Sequence, residues 1–383
     1  MSLYFETGYA CLKKYGEELC GDSMELVRSE GGLIAVMSDG LGSGVKANIL
    51  STLTSRIAVT MLQQGMQLEQ VVETVGATLP VCKVRKLAYS TFSIVKVLPD
   101  GTAYLAEYDN PALCFIRDGV LIEPDRKERF LEGKVIREAH LQLREGDWLI
   151  SVSDGGVNAG IGGIWNLGWS WERVAHYLER RSAETADAQE LADDFCAVCD
   201  KLYGGRPGDD TTILALRVRA KRRAFVMVGP PSDPAQDVAV VNELLAGEGE
   251  KIVCGGTTGN LVARELGAEV EVDLASAAPG VPPMGIIEGI DLVTEGVLTL
   301  TGVRDRLKAG VSARQLRYGV DGISRLAGAM LRADELRIKV GMAVNPAHQN
   351  AQMPQELAFK FQIIKEIGQL LEARGKTVRV EYV

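Results

Sequence analysis

Nothing in the sequence predicts a membrane-spanning helix, because no run of 18 or more apolar residues occurs. The start, Met1-Ser2-Leu3-Tyr4-Phe5-Glu6, lacks the basic residues and apolar stretch of a secretory signal. Positive charge is in deficit. The formal net charge of −9 argues against a nucleic-acid binder, which needs a basic face. The seven cysteines are odd in number and scattered, which excludes a disulfide framework and points to a reducing cytoplasm. His140, His176 and His348 fall in none of the motifs below and read as surface or structural residues. No fixed-period repeat or low-complexity stretch is apparent.

What is present is an ordinary globular composition, 46% hydrophobic and 24% charged over 383 residues, enough for two domains. The excess acid lies almost wholly in residues 1–219. There, apolar runs at 33–38, 90–98, 103–108, 113–116, 148–153 and 212–218 read as strands, several bounded by Asp-Gly or Pro-Asp-Gly turns. Helices are expected over 45–64, from the spacing of Ile49, Leu53, Ile57 and Met61, over 67–79 up to Pro80, and over 188–203. The Cys196-x-x-Cys199 pair falls in that last helix and reads as structural.

Basic Lys221-Arg222-Arg223 marks a junction, giving domains 1–219 and 220–383. In the second, strands at 224–228, 251–254, 270–273 and 338–342 alternate with helices near 237–245, 260–266, 319–331 and 355–373. That order favours a smaller open α/β domain with a largely parallel sheet.

Four acidic motifs stand out in the first domain: Gly21-Asp22-Ser23, Asp39-Gly40-Leu41-Gly42-Ser43-Gly44, Ser153-Asp154-Gly155 and Gly208-Asp209-Asp210-Thr211-Thr212. Each Asp-Gly alone is a common turn. Together, at strand ends, they can bring carboxylates from distant positions into one cleft. Such groups repel one another and resist ionisation unless divalent cations, which prefer oxygen ligands, neutralise them.

In these motifs the sequence resembles the metal-dependent serine/threonine protein phosphatases (PPM), in the bacterial branch typified by the stage II sporulation phosphatase. The resemblance covers roughly residues 5–219, and its most specific part is the stretch from Ser38 to Ala47 running into a helix. It implies an α+β fold, a four-layer α-β-β-α sandwich of two antiparallel sheets flanked by helices. It further implies two manganese or magnesium ions (Mn2+ or Mg2+). Asp39 would bridge both ions, Asp22 and the Gly40 carbonyl would serve one, and Asp154 and Asp209 the other; Asp210 is the less suitable of the adjacent pair. The helices over 45–79 match elements that shift on activation in this branch. The implied reaction is hydrolysis of phosphoserine or phosphothreonine by metal-activated water, without a covalent phosphoenzyme. The implied substrate is a phosphorylated regulatory protein, such as an antagonist of an anti-sigma factor. Eukaryotic relatives place a histidine after the Asp-Gly; here Leu41 stands there, as is common in the bacterial branch.

Lys46 and Arg206 are expected near the cleft or in solvent. The glycine-rich stretch from Gly155 to Trp169 is either a mobile flap or a loop pinned by its tryptophans. In the second domain, Gly255, Gly256, Thr257, Thr258 and Gly259 form a turn between strand and helix, with Asp273 ending the next strand. That order suggests phosphate held by helix amides and ribose by the carboxylate, although neither G-x-G-x-x-G nor a Walker lysine is present. The acidic cluster Glu288, Asp291 and Glu295 reads as solvated surface. The alternatives to an active phosphatase are an inactive phosphatase-like scaffold and a nucleotide-sensing module or enzyme in the second domain. That domain would otherwise bind a partner or a second copy of the chain as a homodimer; neither nucleic acid nor membrane is expected as a partner.

Overall fold

The computed structural model describes residues 3–29, 31–78, 90–131, 133–162, 165–343 and 353–383. The chain divides into two units, Met1–Ala220 and Lys221–Val383. The first unit opens with β1 (Leu3–Leu12), β2 (Asp22–Ser29), β3 (Gly32–Asp39), α1 (Gly44–Gln63) and α2 (Leu68–Thr78). It continues through β4 (Phe92–Val97), β5 (Thr102–Tyr108), β6 (Cys114–Arg117), β7 (Val120–Ile122), β8 (Lys127–Leu131), β9 (Lys134–Gln142) and β10 (Trp148–Val152). It closes with the short α3 (Asp154–Val157), α4 (Trp171–Glu184), α5 (Ala188–Leu202) and β11 (Thr211–Ala220).

Two antiparallel sheets form, in the orders β1-β11-β10-β6-β7 and β2-β3-β4-β5-β9-β8. Strand alternation builds the layers. On β3, Leu33 and Ala35 point into the core between the sheets, meeting Leu149 and Leu214. Ile34 and Val36 point the other way, onto Ala58, Val59, Val71 and Val72 of α1 and α2. The five-stranded sheet repeats the pattern, with Ile150 and Ile213 facing Leu178 of α4 and Phe195 of α5. The result is the expected α-β-β-α sandwich.

The helix over 45–64 is present, but its orientation differs from the spacing argument. Ile49 and Leu53 are exposed, while Ala47, Ser51, Thr54, Ser55, Ala58, Val59 and Leu62 are buried. Small side chains on the inner face bring α1 close to the sheet, so size rather than hydropathy selects the buried face. The stop expected at Pro80 lies outside the described residues. β1, β2, β9 and α4 were not evident in the sequence. β1 is a half-buried edge strand. α4 is charged nearly all round and buries only Val174, Ala175, Leu178 and Ser182.

The second unit contains β12 (Arg223–Val228), α6 (Asp237–Ala246), β13 (Glu250–Cys254), α7 (Gly256–Leu266), β14 (Glu271–Asp273), β15 (Met284–Ile286) and β16 (Leu292–Thr294). α8 (Val297–Lys308), α9 (Gly322–Arg332), β17 (Glu335–Val340), α10 (Met353–Glu372) and β18 (Thr377–Tyr382) complete it. Its sheet order is β14-β15-β16-β13-β12-β17-β18, with the run from β16 to β18 parallel. On β12, Ala224, Val226 and Val228 face the core holding α8, α9 and α10, and Phe225 and Met227 face that of α6 and α7. The strand over 270–273 shrinks to β14, an antiparallel edge strand. The parallel strand that follows α7 is β16, which ends at Thr294 just before Glu295. Asp273 instead caps a local turn by accepting from the Ala275 amide, so it is not the acid that follows the glycine turn in the parallel sheet.

Candidate metal centre

Asp22 begins β2 and Asp39 ends β3, and the two are direct partners in the antiparallel register. Backbone bonds fix this corner: the Gly40 amide donates to the Gly21 carbonyl at 3.3 Å and the Thr91 amide to the Asp39 carbonyl at 3.0 Å. Ser90 Oγ also donates to the Asp39 carbonyl, at 2.9 Å, and is itself bonded to Ser38. Gly40 is required here, because a Cβ would lie 2.1 Å from the Ala47 carbonyl oxygen as α1 turns back over the strand.

The other two acidic motifs belong to the second sheet. Asp154 opens α3 directly after β10, and Asp209-Asp210 precedes β11. The Ser153 amide donates to the Thr212 carbonyl at 2.9 Å, and Ser153 Oγ accepts from the Thr212 amide at 2.8 Å. These bonds set the end of β10 beside the start of β11. A Cβ on Gly155 would lie 2.0 Å from the Asp210 carbonyl oxygen, so glycine allows the close approach.

Electrostatics joins the two corners. The Asp39 carboxyl is pushed up to about 9, first by burial and then by the charges of Asp22, Asp154 and Asp209. Asp22 is raised to about 6, chiefly by burial, with Ser153, Thr212 and Asp39 partly opposing the shift. Asp154 is raised by burial, and Asp209 by burial and by the charge of Asp154. All four acids expected at the site are therefore electrostatic neighbours. Asp210 is buried beside them; its Oδ1 accepts from the Lys14 amide at 2.9 Å.

Among the described residues, both carboxylate oxygens of Asp22, which is only 4% exposed, lack a hydrogen-bond partner, and so does Asp210 Oδ2. Orphaned buried acceptors are costly, and a hard divalent cation satisfies them. The donors are oxygens, the set that manganese and magnesium prefer. Among the described residues no three His, Cys, Asp or Glu side chains already stand together as a ligand cage.

The remaining expectations resolve individually. Leu41 and Lys46 are exposed, and Arg206 is exposed with its guanidinium 5.3 Å from the Tyr15 ring centre. Trp169 is pinned into the core against Phe195 and Tyr177. Leu167, by contrast, is 88% exposed on the same stretch. Cys196 and Cys199 are buried in α5, and His140 and His176 are exposed; His348 lies outside the described residues. No motif marks Lys14, whose charge opposes the rise of Asp209, or Asp109, whose charge acts on Asp154. Asp109 adopts φ 52°, a left-handed turn that Asp-Asn in the sequence is suited to make. In the second unit Glu288 and Asp291 are exposed as expected, but Glu295 is not simply solvated surface: its Oε2 is buried without a partner.

Residues 29–219 match the family model described as Stage II sporulation protein E (SpoIIE). The curated Stage II sporulation protein E of Bacillus subtilis (strain 168) is 27% identical over 222 residues, 55% of this chain. The chain spans about a quarter of that relative's length, the match covering 25% of it. Among solved structures, the PP2C phosphatase domain with a fragment of the regulatory domain of SpoIIE from Bacillus subtilis superposes with a TM-score of 0.47 at 23% identity. That match covers 57% of this chain and 64% of the other. The RsbU and RsbW domains of Rv1364c from Mycobacterium tuberculosis give a TM-score of 0.46 at 16% identity, over 63% and 67% of the two chains.

Proposed function

We propose, from the premise that residues 29–219 belong to the Stage II sporulation protein E family, that the first unit is a metal-dependent protein phosphatase. Its substrate is phosphoserine or phosphothreonine on a small regulatory protein, of the kind that antagonises an anti-sigma factor. The single observation that supports this most strongly is the electrostatic convergence of Asp22 and Asp39 from one sheet with Asp154 and Asp209 from the other.

In this reading Asp22, Asp39, Asp154, Asp209 and the Gly40 carbonyl hold two Mn2+ or Mg2+ ions. When bound, the pair supplies a phosphate clamp and a water of lowered pKa for in-line attack. The chain's own residues prepare for that. Asp39 and Asp22 give up the protons that burial leaves on them and become charged ligands. Ser153 and Thr212 partly oppose the rise of Asp22, and Lys14 offsets charge near Asp209. Leu41, exposed at the position where eukaryotic relatives place a histidine, carries no proton to donate to the departing serine or threonine oxygen. The six described cysteines are free thiols, which suits the cytoplasm.

The test is hydrolysis of p-nitrophenyl phosphate and a phosphoserine peptide with manganese or magnesium, in the wild type and Asp39→Asn. Metal-dependent turnover lost in the variant is expected. No turnover of either substrate with any divalent ion would identify an inactive scaffold and overturn the reading.

A further inference from the structure

Within the second unit the parallel strands run in the order β16-β13-β12-β17-β18. In chain order this is 3-2-1-4-5, so the direction of winding reverses between β12 and β17. In open α/β sheets, ligands bind outside the carboxyl ends of the strands at such a reversal. Here that edge is built largely of glycine: Gly229 follows β12, Gly255 and Gly256 follow β13, Gly296 precedes α8, and Gly341 follows β17.

A lysine stands at the reversal. Lys360 of α10 reaches over it and donates to the Gly341 carbonyl at 2.6 Å, and its Nζ lies 3.0 Å from where a Cβ on Gly229 would sit. The ammonium is half-buried and forms no ion pair among the described residues. Burial lowers its pKa, as expected for a cation without a counter-ion.

Next to it, the first turn of α7 has no side-chain cap, and Thr258 Oγ1 accepts from the Gly229 amide at 2.9 Å, tying that turn to the end of β12. The N-terminus of α8 adjoins that of α7, since a Cβ on Gly296 would lie 3.4 Å from the Gly255 Cα. Thr299, in the first turn of α8, is 1% exposed, and its hydroxyl has no partner among the described residues. Glu295, between β16 and α8, also carries a buried oxygen, Oε2, without a partner among the described residues, and its charge is felt by the buried Cys254.

The edge thus offers a cation and open helix amides on one side, and a carboxylate lacking a donor on the other. Two strand spacings, about 10 Å, separate β12 from β16, too far for one phosphate to satisfy both. We propose that the second unit binds a phosphorylated sugar ligand of the nucleotide class along this edge. Its phosphate lies at Lys360 and the first turn of α7, and its sugar hydroxyls donate to Glu295. The sequence motif at 255–259 is one wall of this site; Lys360, which no motif marks, is the other.

Calorimetric titration of the full chain in excess chelator, which keeps ions out of the first unit, tests this with ribose 5-phosphate, AMP, GMP, adenosine and inorganic phosphate. At least one sugar phosphate is expected to bind saturably, at least tenfold more tightly than adenosine or inorganic phosphate. Lys360→Gln should weaken it tenfold or more, and Glu295→Gln should weaken the sugar phosphate but not inorganic phosphate. Gly256→Asp provides a control for folding, because a Cβ there meets nothing within 4 Å. It should keep the wild-type melting temperature and lose binding through charge repulsion. Absence of binding by every probe, binding of inorganic phosphate alone, or affinity unchanged in both Lys360→Gln and Gly256→Asp overturns the proposal.

Discussion

Asp22 and Asp39 stand directly opposite each other on adjacent antiparallel strands. Like charges so placed destabilise a sheet, and here burial adds to the repulsion. A fold that keeps such a pair gains when a cation separates the charges. Much of the chain's expected behaviour follows from that conflict.

Asp39→Asn should therefore separate stability from activity. Turnover should fall by about two to three orders of magnitude, the scale on which removing one electrostatic stabiliser acts. In chelator, by contrast, the variant should melt at a higher temperature than the wild type at pH 8, because Asn is buried neutral without the proton that Asp39 must take up on folding. Paired phosphatase assays and calorimetric melts check both. A lower melting temperature for the variant in chelator would contradict the repulsion argument.

The pH dependence has a definite sign. The Asp39 carboxyl moves from an ordinary 3.8 to about 9 in the folded chain. Between those values the folded state holds a proton that the unfolded state has lost, so its contribution to stability declines as pH rises through the interval. Metal-free protein should melt progressively lower from pH 5 to pH 9, and Asp39→Asn should flatten that slope. Metal uptake at pH 7 should release protons, measurable by titration calorimetry in buffers of different ionisation enthalpy.

Gly40→Ala should damage the site through the backbone alone. The added Cβ would meet the Ala47 carbonyl at 2.1 Å, and moving α1 away should cost about 1–3 kcal/mol. Denaturant melts should show that loss, with weaker manganese activation in the same variant, since the Gly40 carbonyl is a proposed ligand. Gly42→Ala, where a Cβ meets nothing within 4 Å but φ is +103°, should register backbone strain only.

Asp147→Ala addresses structure rather than chemistry. Asp147 is buried and accepts from Arg117 Nε at 2.9 Å, from Arg117 Nη2 at 2.6 Å and from the Arg144 amide at 2.8 Å. Removing it leaves a partly buried guanidinium unpaired, at a cost of about 3 kcal/mol. Urea melts should show this, with the metal affinity of the surviving folded protein unchanged.

Thiol reactivity should be selective. Burial pushes Cys114, Cys196, Cys199 and Cys254 up, whereas hydrogen bonding to Cys20 lowers exposed Cys11. Of the six described cysteines, Cys11 should be alkylated first by iodoacetamide at pH 7, as read by peptide mass spectrometry.

Local sequence determined the elements and the chemistry they could carry. The run from Leu33 to Asp39 specified a strand buried on both faces, the glycines after Asp39 and Asp154 specified sharp exits, and alternation after Lys221 specified a parallel sheet. These are effects of nearest neighbours and period, and one chain read alone contains them. Tertiary structure decided what lies beside what. It set Asp22 against Asp39 on one sheet and tied Ser153 to Thr212 on the other, which sets Asp154 near Asp209. It turned α1 so that serine, threonine and alanine, not Ile49 and Leu53, face the sheet. It exchanged Asp273 for Glu295 at the parallel edge and brought Lys360 to the reversal of winding. Register, helix rotation and strand order all join residues far apart in sequence. Their energies come from packing and charge across that distance, so no local window of the chain records them.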